Sequence, residues 1–479
     1  MKNTDCSDFI PKNEECGRFF RFLVIVSCLL TALPLPGTYA KSNPFQSILT
    51  SDTLVNSNVG IKVVNCSTSE SIYSYNADKL FIPASVLKII TAYTALKMLT
   101  PQFNFSTEYY VADTGSDSTS ACELYVKGSG DPTLTTADLN NHALRISEQV
   151  KKITDGIVVD NSYFDTIQFG SGWMWDDPNT PIAPFFINEN RIDFIVSPAK
   201  NKSIEVKSVP ASSLIDVSVE NTTKNSRFSI MHEKMNGREK FVIAGPFSSG
   251  STPLRFSSVI HQPELFAGTV FKELLEKNGV RVKGTVRLGS VPSTVRKIES
   301  FHSASLGDIV KKFLKQSDNL IGECILKTLG AVDAGIPGEA YNGVKVIEQE
   351  MEKIGIKSNE FRIVDGCGLS TYNLLTPRQV VSVLKAAQDD FTIYPEFSSA
   401  LAVAGADGTL QRRMSDSLLI RSVRAKTGTM SGISSLAGYL RTKKGTLVAF
   451  SVMVNGFIGY SLPVRAAQDS IVKVLYENY

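Results

Sequence analysis

The sequence has only four histidines in 479 residues, and it lacks the short motifs that several classes of hydrolase and metal-binding protein require. It contains no Cys-x-x-Cys, no His-Glu-x-x-His and no Gly-x-Ser-x-Gly. The histidines are scattered along the chain, at His142, His232, His261 and His302. Neither a zinc site nor a Ser-His-Asp triad is therefore favoured. Nothing in the sequence implies a metal or an organic cofactor.

An excess of charge of one sign is also missing. The chain has 50 basic and 47 acidic residues, which gives a formal net charge of +3. Such a balance gives no indication of a nucleic-acid partner. Internal repeats and low-complexity tracts are absent too. With 43% hydrophobic and 20% charged residues, the composition is that of a globular protein long enough for two or three domains.

Long apolar runs are scarce, and the clearest one, Phe22–Pro36, is too short for a comfortable membrane span. Arg18 and Arg21 precede it, and Thr38-Tyr39-Ala40 follows as a cleavage site of the small-x-Ala kind. We predict a secretory signal peptide over residues 1–40. The protein is then exported, to the periplasm or the extracytoplasmic face of the cell envelope. An uncleaved anchor is the alternative, because the preceding residues carry acidic as well as basic groups.

Few cysteines follow that segment. They are Cys66, Cys122, Cys324 and Cys367. An exported protein can oxidise its thiols, and four cysteines allow three pairings. Their spacing follows no disulfide-scaffold pattern, so isolated buried thiols remain an equal alternative.

A serine and a lysine three residues apart carry the strongest chemical signal in the chain. Ser85 and Lys88 follow Pro83 at the start of a nearly continuous apolar stretch, which predicts a buried helix. Residues at i and i+3 share one face of a helix. An apolar wall lowers the pKa of a lysine by desolvation, so the amine can accept a proton. Ser85 is thus a candidate nucleophile and Lys88 a candidate base.

The same spacing recurs elsewhere, for example at Ser197/Lys200 and Ser470/Lys473. What separates the Ser85 pair from these is the sequence downstream of it. Ser317-Asp318-Asn319 follows it, and then Lys426-Thr427-Gly428, the only Lys-Thr-Gly in the chain. Ser-x-x-Lys, Ser-Asp-Asn and Lys-Thr-Gly in this order are the motif set of the serine enzymes that react with penicillin. Each motif alone is weak, but the ordered trio is a specific signal.

The distribution of predicted elements indicates a discontinuous α+β fold. Alternating runs at Ile61–Asn65 and Ser71–Tyr75 predict a hairpin before the Ser85 helix, and further strands lie near the C-terminus. Together they can form one antiparallel sheet with helices packed against it. A β-rich stretch, residues 105–289, contains none of the three motifs, so we predict that it is an insertion. The catalytic domain is then formed by residues 41–104 and 290–479.

On these motifs the chain resembles the class C low-molecular-mass penicillin-binding proteins, which are D-alanyl-D-alanine carboxypeptidase/endopeptidases of the serine peptidase S13 family. The resemblance covers nearly the whole mature chain and includes further stretches: Gly128–Leu134, Gly172-Trp173-x-Trp175, Asp365–Ser370, Ala404–Leu410 and Leu436–Tyr439. It implies a penicillin-binding/β-lactamase-like catalytic domain, with the insertion folded as two subdomains, one nested in the other. It also implies cleavage of peptidoglycan stem peptides and inhibition by β-lactam antibiotics.

The resemblance also implies a catalytic role for each motif residue. Ser85 attacks the carbonyl between two D-amino acids, and Lys88 takes its proton. Ser317 relays a proton towards the leaving amine, and Asn319 binds the substrate amide or holds Lys88. Lys426 supplies positive charge, which lowers the pKa of Lys88 and attracts the terminal carboxylate of the substrate.

Substrate-binding roles are expected for Thr427, Gly428, Thr429 and Asp160. The hydroxyls of Thr427 and Thr429 can donate to the substrate carboxylate. The backbone N–H groups of Ser85 and Thr429 would form the oxyanion hole. Asp160 resembles part of a patch of the insertion that faces the active site in this family. A plain turn at the end of a strand is the equal alternative for Asp160.

Two positions depart from the family pattern, and two other functions stay open. Cys367 stands where serine is usual, and Thr371 stands where a substrate-binding arginine is common. A serine β-lactamase shares the three motifs but needs rapid deacylation, usually through a water that a carboxylate activates. A peptidoglycan-binding module without turnover is the non-enzymatic alternative, and the intact Ser85, Lys88 and Lys426 argue against it.

Overall fold

A computed structural model of the chain describes residues 43–113, 119–174, 179–198, 204–222, 226–235, 237–247, 252–415 and 418–479. The predicted signal peptide and Trp175 lie outside these ranges. Among the helices in these ranges, none has the length and apolar character needed to span a membrane. The chain divides into residues 1–47 and residues 48–479, and all sheets lie in the second unit.

The strands of the described residues are, in chain order, β1 (Asn58–Asn65), β2 (Ser71–Tyr75), β3 (Ser106–Asp113), β4 (Ser120–Gly128), β5 (Lys152–Asp160), β6 (Arg191–Pro198), β7 (Ile204–Val209), β8 (Ile215–Asn221), β9 (Ser229–Met235), β10 (Arg238–Gly245), β11 (Leu254–Val259), β12 (Arg281–Val282), β13 (Thr285–Gly289), β14 (Arg296–His302), β15 (Ala402–Val403), β16 (Val423–Met430), β17 (Ile433–Arg441) and β18 (Leu447–Asn455).

The α-helices of the same residues are α1 (Gln46–Leu49), α2 (Lys88–Met98), α3 (Thr136–Gln149), α4 (Pro263–Lys277), α5 (Leu306–Gln316), α6 (Asn319–Ala334), α7 (Ala340–Lys353), α8 (Pro377–Asp389), α9 (Tyr394–Ala400) and α10 (Ser461–Asn478). Short 3₁₀ turns occupy Ala84–Leu87, Asn188–Asn190, Ser358–Glu360 and Gly408–Leu410.

The first sheet combines strands that are far apart in sequence. Its order is β15-β16-β17-β18-β1-β2, and every neighbouring pair is antiparallel. The pairing of β1 with β18 runs from Asn58 opposite Asn455 to Asn65 opposite Val448. The predicted antiparallel sheet with helices packed against it is therefore confirmed. Because this sheet includes β16, the Lys-Thr-Gly motif lies in the same sheet as β1 and β2, the strands that precede the Ser85 turn.

Helices cover both faces of the first sheet. The Ser434 hydroxyl donates to the side chain of Gln468 on α10, and the Tyr439 hydroxyl donates to the Leu384 carbonyl on α8. Ser434 and Tyr439 are an odd number of residues apart on β17, so they point to opposite faces. Strands that are buried on both faces have continuous apolar runs, which explains why β17 and β18 are buried along almost their whole length.

The strands between Ser106 and His302 form three further sheets. The second sheet has the order β12-β5-β4-β3-β14, with β13 also pairing with β5. Two small sheets, β8-β10-β9 and β11-β6-β7, follow from the next part of the chain. The stretch of residues 280–289 contains two short strands, β12 and β13, and not one continuous strand. Gly284, with φ +79°, breaks it, and a Cβ there would lie 2.3 Å from the Asp155 carbonyl oxygen.

Helix α2 is the central helix of the larger apolar core. Residues 88–96 are all buried, and α5, α6, α7 and α8 pack around them. Its apolar residues face in every direction, because it has no solvent face. The first residue of this buried helix is Lys88, so the fold places an amine at the edge of an apolar core.

Candidate active site

The sequence predicted Ser85 in the first turn of an α-helix. In the structure it lies instead in a tight turn just before the helix. The turn Ala84–Leu87 is 3₁₀, and the α-helix begins only at Lys88. Residues i and i+3 eclipse one another in 3₁₀ geometry. Lys88 therefore stands directly over Ser85, and its Nζ donates a hydrogen bond of 3.1 Å to the Ser85 Oγ. The predicted pair is brought together.

Strand β16 lies directly against the Ser85 turn because Gly428 has no side chain. A Cβ at Gly428 would lie 2.9 Å from both the Pro83 carbonyl oxygen and the Ser85 nitrogen. Both atoms belong to backbone that cannot move aside cheaply. The Lys-Thr-Gly motif thus requires its glycine for a close approach of two backbones, and this approach places Thr429 on the strand that faces Ser85.

Three oxygen atoms surround the amine of Lys88. Besides Ser85, its Nζ donates to the Asn319 Oδ1 at 2.7 Å and to the Cys367 carbonyl oxygen at 2.6 Å. The side chain is fully buried. Asn319 therefore holds the lysine, which is one of the two roles that the sequence left open for it. The Cys367 carbonyl was not predicted, although the stretch that contains it was.

Burial lowers the pKa of Lys88 from its ordinary value, because desolvation disfavours the charged amine. Nearby acidic groups act in the opposite direction and raise it: Cys367, Asp365, Glu323 and Asp318. Lys426 was expected to contribute to the lowering. The dominant cause in the structure is burial.

The Ser317-Asp318-Asn319 motif forms the corner between α5 and α6. Ser317 ends α5 with a left-handed backbone, φ +61°. Asp318 caps α6 by accepting a hydrogen bond of 3.1 Å from the Ile321 N–H. Asn319 is then the first residue of α6. Because the motif turns the chain sharply, its serine and its asparagine point into the same site.

Lys426 connects the Lys-Thr-Gly strand to this corner. Its Nζ donates to the Ser317 Oγ at 2.8 Å and to the Thr427 carbonyl oxygen at 2.7 Å. Like Lys88 it is fully buried. Burial, and then the charge of Lys88, hold the pKa of Lys426 well below its ordinary value. An anion bound beside Lys426 would stabilise its charged form.

The two predicted threonines have partners that the sequence did not indicate. Thr427 donates its hydroxyl to the Thr409 Oγ1 at 2.8 Å. Arg465, on α10, donates from Nη2 to the Thr429 Oγ1 at 3.3 Å. Thr409 belongs to the predicted stretch Ala404–Leu410, but Arg465 lies in the C-terminal helix, where an exposed basic residue is ordinary. Only tertiary packing reveals that contact.

Asp365 fixes the conformation of the loop Asp365–Ser370, whose Cys367 carbonyl accepts a hydrogen bond from Lys88. Its carboxylate is fully buried and accepts hydrogen bonds from the backbone N–H groups of Gly368, Leu369 and Ser370, the side-chain amide of Asn373 and the indole N–H of Trp173. A carboxylate with this many donors fixes the loop conformation. The loop conformation in turn aims the Cys367 carbonyl at Lys88. Trp173 reaches this loop from the part of the chain that the sequence assigned to the insertion.

Glu323 is a buried acid of the site that sequence reasoning missed. It lies one helical turn after Asn319 on α6 and accepts a hydrogen bond of 2.8 Å from the Gly366 N–H. The Gly366 carbonyl accepts 2.7 Å from the Thr91 hydroxyl on α2. Burial and the charge of Asp365 raise the pKa of Glu323 to about 8. The i, i+4 spacing from Asn319 was the available signal.

Asp160 has the geometry of a turn former. Its side chain is buried, its Oδ1 accepts from the N–H and the hydroxyl of Ser162, and its Oδ2 accepts from the Val291 N–H at 2.8 Å. None of these partners belongs to the three motifs. The substrate-binding role of Asp160 stays a prediction.

The four cysteines of the described residues are free thiols. Burial raises the pKa of Cys66 to about 11 and the pKa values of Cys324 and Cys367 well above the ordinary range. Of the two readings that the spacing left open, the structure has isolated thiols. The raised pKa values of Cys66, Cys324 and Cys367 make these three thiols poor nucleophiles.

Comparison with known proteins agrees with the geometry. The profile of the D-Ala-D-Ala carboxypeptidase 3 (S13) family matches residues 42–477. A D-alanyl-D-alanine carboxypeptidase of Actinomadura sp. (strain R39) is 30% identical over 440 residues, which cover 87% of this chain and 81% of that protein. The D-alanyl-D-alanine carboxypeptidase DacB of Haemophilus influenzae is 28% identical over 457 residues, which cover 93% of this chain and 94% of that protein.

The fold is also that of a solved structure. The crystal structure of penicillin binding protein 4 (dacB) from Haemophilus influenzae superposes with a TM-score of 0.79 at 24% identity, over 90% of this chain and 99% of that chain. The same protein has been crystallised with a β-lactam, and that structure superposes with a TM-score of 0.74. The chain therefore belongs to the D-Ala-D-Ala carboxypeptidase 3 (S13) family of serine peptidases.

Proposed function

We propose that the chain is a serine-type D-Ala-D-Ala carboxypeptidase and endopeptidase that cleaves peptidoglycan stem peptides through an acyl-enzyme on Ser85. One observation carries the assignment of the nucleophile. The Nζ of a fully buried lysine, Lys88, lies 3.1 Å from the Ser85 Oγ. A neutral amine in hydrogen-bond contact with a serine hydroxyl is the arrangement that activates a serine without histidine.

In the acylation step, the Ser85 Oγ bonds to the carbonyl carbon between the two D-alanines, and Lys88 accepts the hydroxyl proton. The carbonyl oxygen becomes an oxyanion, for which the N–H groups of Ser85 and Thr429 are the proposed donors. One such donor contributes about 3 kcal/mol to barrier lowering. The close approach at Gly428 supports this choice of donors, because it brings the backbone of β16, which includes Thr429, against the backbone of the Ser85 turn.

Ser317 supplies the proton that the leaving amine needs. When the C–N bond breaks, the amine takes the Ser317 hydroxyl proton, and the proton held on Lys88 returns to Ser317. The hydrogen bond from Lys426 to the Ser317 Oγ supports this role, because a donor at that oxygen stabilises it while its proton is away. Water then attacks the acyl carbon and gives a proton to Lys88. When the bond between the acyl carbon and the Ser85 Oγ breaks, this proton passes to the Ser85 Oγ, which restores the serine and the neutral amine.

Lys426, Thr427 and Thr429 are the proposed binding groups for the substrate's terminal carboxylate. Lys426 is buried beside Ser317, and burial lowers its pKa by disfavouring the charged amine. A substrate carboxylate bound beside it would favour the charged form and pair with it. The β-lactams carry a carboxylate and a strained amide, so we propose that they acylate Ser85 in the same way. Asp160 remains a proposed contact for the side chain of the stem peptide.

We propose that the catalytic domain is formed by residues 41–104 and 290–479, with residues 105–289 inserted. The first sheet supports this, since it takes strands only from the two outer segments. Strand β14 (Arg296–His302) pairs with β3, which favours a C-terminal boundary for the insertion near residue 302. The two small sheets support nested subdomains. We also propose export, with residues 1–40 as signal peptide, on the strength of the apolar run after Arg18 and Arg21.

Labelled penicillin tests the function. We expect a stable adduct, and peptide mapping by mass spectrometry should place it on Ser85. Rapid turnover of the antibiotic would indicate a β-lactamase, and no adduct would indicate a binding module. Ser85→Ala should abolish both the adduct and the release of D-alanine from stem peptides while the protein still folds, because few packing atoms are lost. Retained labelling in that variant would show that another residue is the nucleophile.

A further inference from the structure

Two of the four histidines meet in the inserted region. His232 on β9 pairs with Phe241 on β10. Glu239 lies two residues from Phe241, so it is the diagonal neighbour of His232 on the same face. His261 approaches from the segment between β11 and α4. One imidazole nitrogen from each histidine and one carboxylate oxygen lie within 4.8 Å of one another. The sequence gives no signal for this cluster, because its members come from three separate segments.

The Glu239 carboxylate is held in a fixed orientation. Its side chain is fully buried, and its Oε1 accepts from the backbone N–H groups of His261 at 3.1 Å and Gln262 at 2.9 Å. The other oxygen, Oε2, contacts the Nε2 of His232. Backbone donors of this kind orient the carboxylates that bind metal ions. Glu239 therefore presents one oxygen to the two imidazoles.

The cluster is open to solvent on one side. His261 is exposed, and its ring stacks on that of His232 with 3.9 Å between centroids and 18° between planes. The other face of His232 stacks on Phe241. A tetrahedral ion with bonds of about 2.0–2.1 Å needs ligand atoms roughly 3.4 Å apart. Rotation of the exposed His261 ring can bring its nitrogen to that distance.

A second cluster of potential ligands, Glu323, Asp365 and Cys367, has different surroundings. Its atoms also lie within 4.8 Å, but all three residues are buried. The Asp365 oxygens already accept from the loop, and the Lys88 amine lies against the Cys367 carbonyl. The ligand atoms of that cluster are thus already engaged by donors of the chain itself. The histidine cluster, in contrast, has one exposed member, His261.

We propose that His232, Glu239 and His261 bind one Zn²⁺ ion, with water in the fourth position. Two imidazole nitrogens and one carboxylate oxygen are an established ligand set for this ion. The proton between His232 and Glu239 moves to the Nδ1 of His232 or to solvent as the ion takes its place. The bound ion would join the β8-β10-β9 sheet to the segment that leaves the β11-β6-β7 sheet. Small sheets with little core gain stability from such a clamp.

Metal binding to the untagged, chelator-treated chain tests the proposal. The readouts are bound zinc after dialysis, measured by mass spectrometry of the metal, and calorimetric titration with Zn²⁺. We expect one ion per chain in the wild type, and a loss of affinity of at least about tenfold in His261→Ala and Glu239→Gln. His302→Ala is the matched control, since His302 is an exposed histidine on β14, and it should bind like the wild type. His261 is exposed, so its replacement leaves folding intact.

Several outcomes would overturn the proposal. They are the absence of zinc binding, equal affinity in His261→Ala and the wild type, or a loss caused by Cys367→Ser and not by His261→Ala. Thermal unfolding tests the clamp itself. Saturating Zn²⁺ should raise the Tm of the wild type and of His302→Ala but not that of His261→Ala. A wild-type Tm that Zn²⁺ leaves unchanged would contradict the clamp.

Discussion

Two buried lysines lie in the same site and differ in their neighbours. Lys88 and Lys426 are both fully buried, and desolvation is the main cause that lowers the pKa of each. Lys88 touches the Ser85 hydroxyl and has acidic groups nearby that raise its pKa, whereas Lys426 touches the Ser317 hydroxyl, and a charge on Lys88 lowers its pKa further. Burial alone therefore does not assign their roles. The hydroxyl that each amine contacts supports the proposed roles, with Lys88 as the base for Ser85 and Lys426 as a binding group for the substrate carboxylate.

The largest expected difference between the lysines concerns arginine substitution. Lys88→Arg should lower the rate of Ser85 acylation by about 10²–10⁴-fold, nearly as much as Lys88→Ala, because arginine cannot give up its proton. Lys426→Arg is the matched control and should lose less, since a fixed positive charge still attracts a carboxylate. The measurement is the second-order rate of labelling by penicillin. A Lys88→Arg variant with most of its rate would make Lys88 an electrostatic anchor.

A substrate comparison sharpens the role of Lys426. Lys426→Ala should lower kcat/KM for a peptide with a free terminal carboxylate about tenfold more than for the same peptide with a C-terminal amide, because only the first can pair with the amine. The measurement is the ratio of the two kcat/KM values in wild type and variant. An unchanged ratio would show that Lys426 does not bind the substrate carboxylate, and its contact with the Ser317 hydroxyl would then be its remaining proposed role.

Glu323 tests the influence of the acids around Lys88. Its pKa is raised from 4.5 to about 8, so it is ionised in the folded protein only at higher pH. Removing that charge in Glu323→Gln should lower the pKa of Lys88 and move the acid limb of acylation to lower pH, by about one unit or less. Glu264→Gln, at another buried acid with a raised pKa, should leave the limb in place. If wild type, Glu323→Gln and Glu264→Gln all showed the acid limb of acylation at the same pH, the charge of Glu323 would not influence the pKa of Lys88.

The same pKa shift predicts a change in stability with pH. The folded state keeps a proton on Glu323 that the unfolded chain loses, so this contribution is present below pH 4.5 and is lost as the pH rises to about 8. Wild type should therefore lose Tm relative to Glu323→Gln across that window. Parallel Tm curves for the two proteins would show that Glu323 ionises normally.

The smallest effect on catalysis is expected from replacing Asp160, whose hydrogen bonds are to Ser162 and Val291 and not to either lysine. Asp160→Ala should leave acylation by penicillin nearly unchanged and weaken the cleavage of muropeptides with a free side-chain amine by at most several-fold, as for an ion pair of about 0.2–1 kcal/mol. The measurement is the ratio of muropeptide to penicillin kcat/KM. Equal effects on both substrates, or none on either, would reduce Asp160 to the turn that its hydrogen bonds already form.

Features set by neighbouring residues could be predicted from the sequence, whereas contacts between distant segments could not. Ser85 and Lys88 were predictable because their spacing acts within one turn, and the other motifs because their spelling is specific. The contacts of Glu323 with Gly366 and of Arg465 with Thr429 join segments whose residue types are ordinary in their own elements. No periodicity indicates which buried acid lies below a catalytic amine.

The fold shows the same division. The hairpin before Ser85 and the strands around Lys-Thr-Gly were predicted from alternation and turn residues. The 3₁₀ turn at Ser85 was not, because propensity does not separate it from the first turn of an α-helix. The pairing of β11 with β6 was not predicted, since the two strands are more than about 50 residues apart in sequence. The histidine cluster was hidden because its members come from three separate segments.

The pH dependence of Ser85 acylation tests the central claim, that Lys88 acts as a neutral base, most directly. Labelled penicillin and intact-protein mass spectrometry give the acylation rate across the pH range, and peptide mapping confirms the position of the adduct. The wild-type rate should rise with pH through a midpoint below 10.5, because burial lowers the pKa of Lys88 from that value. Lys88→Arg should lack this limb. A midpoint near 10.5, or the same limb in Lys88→Arg, would contradict the assignment of Lys88 as the base.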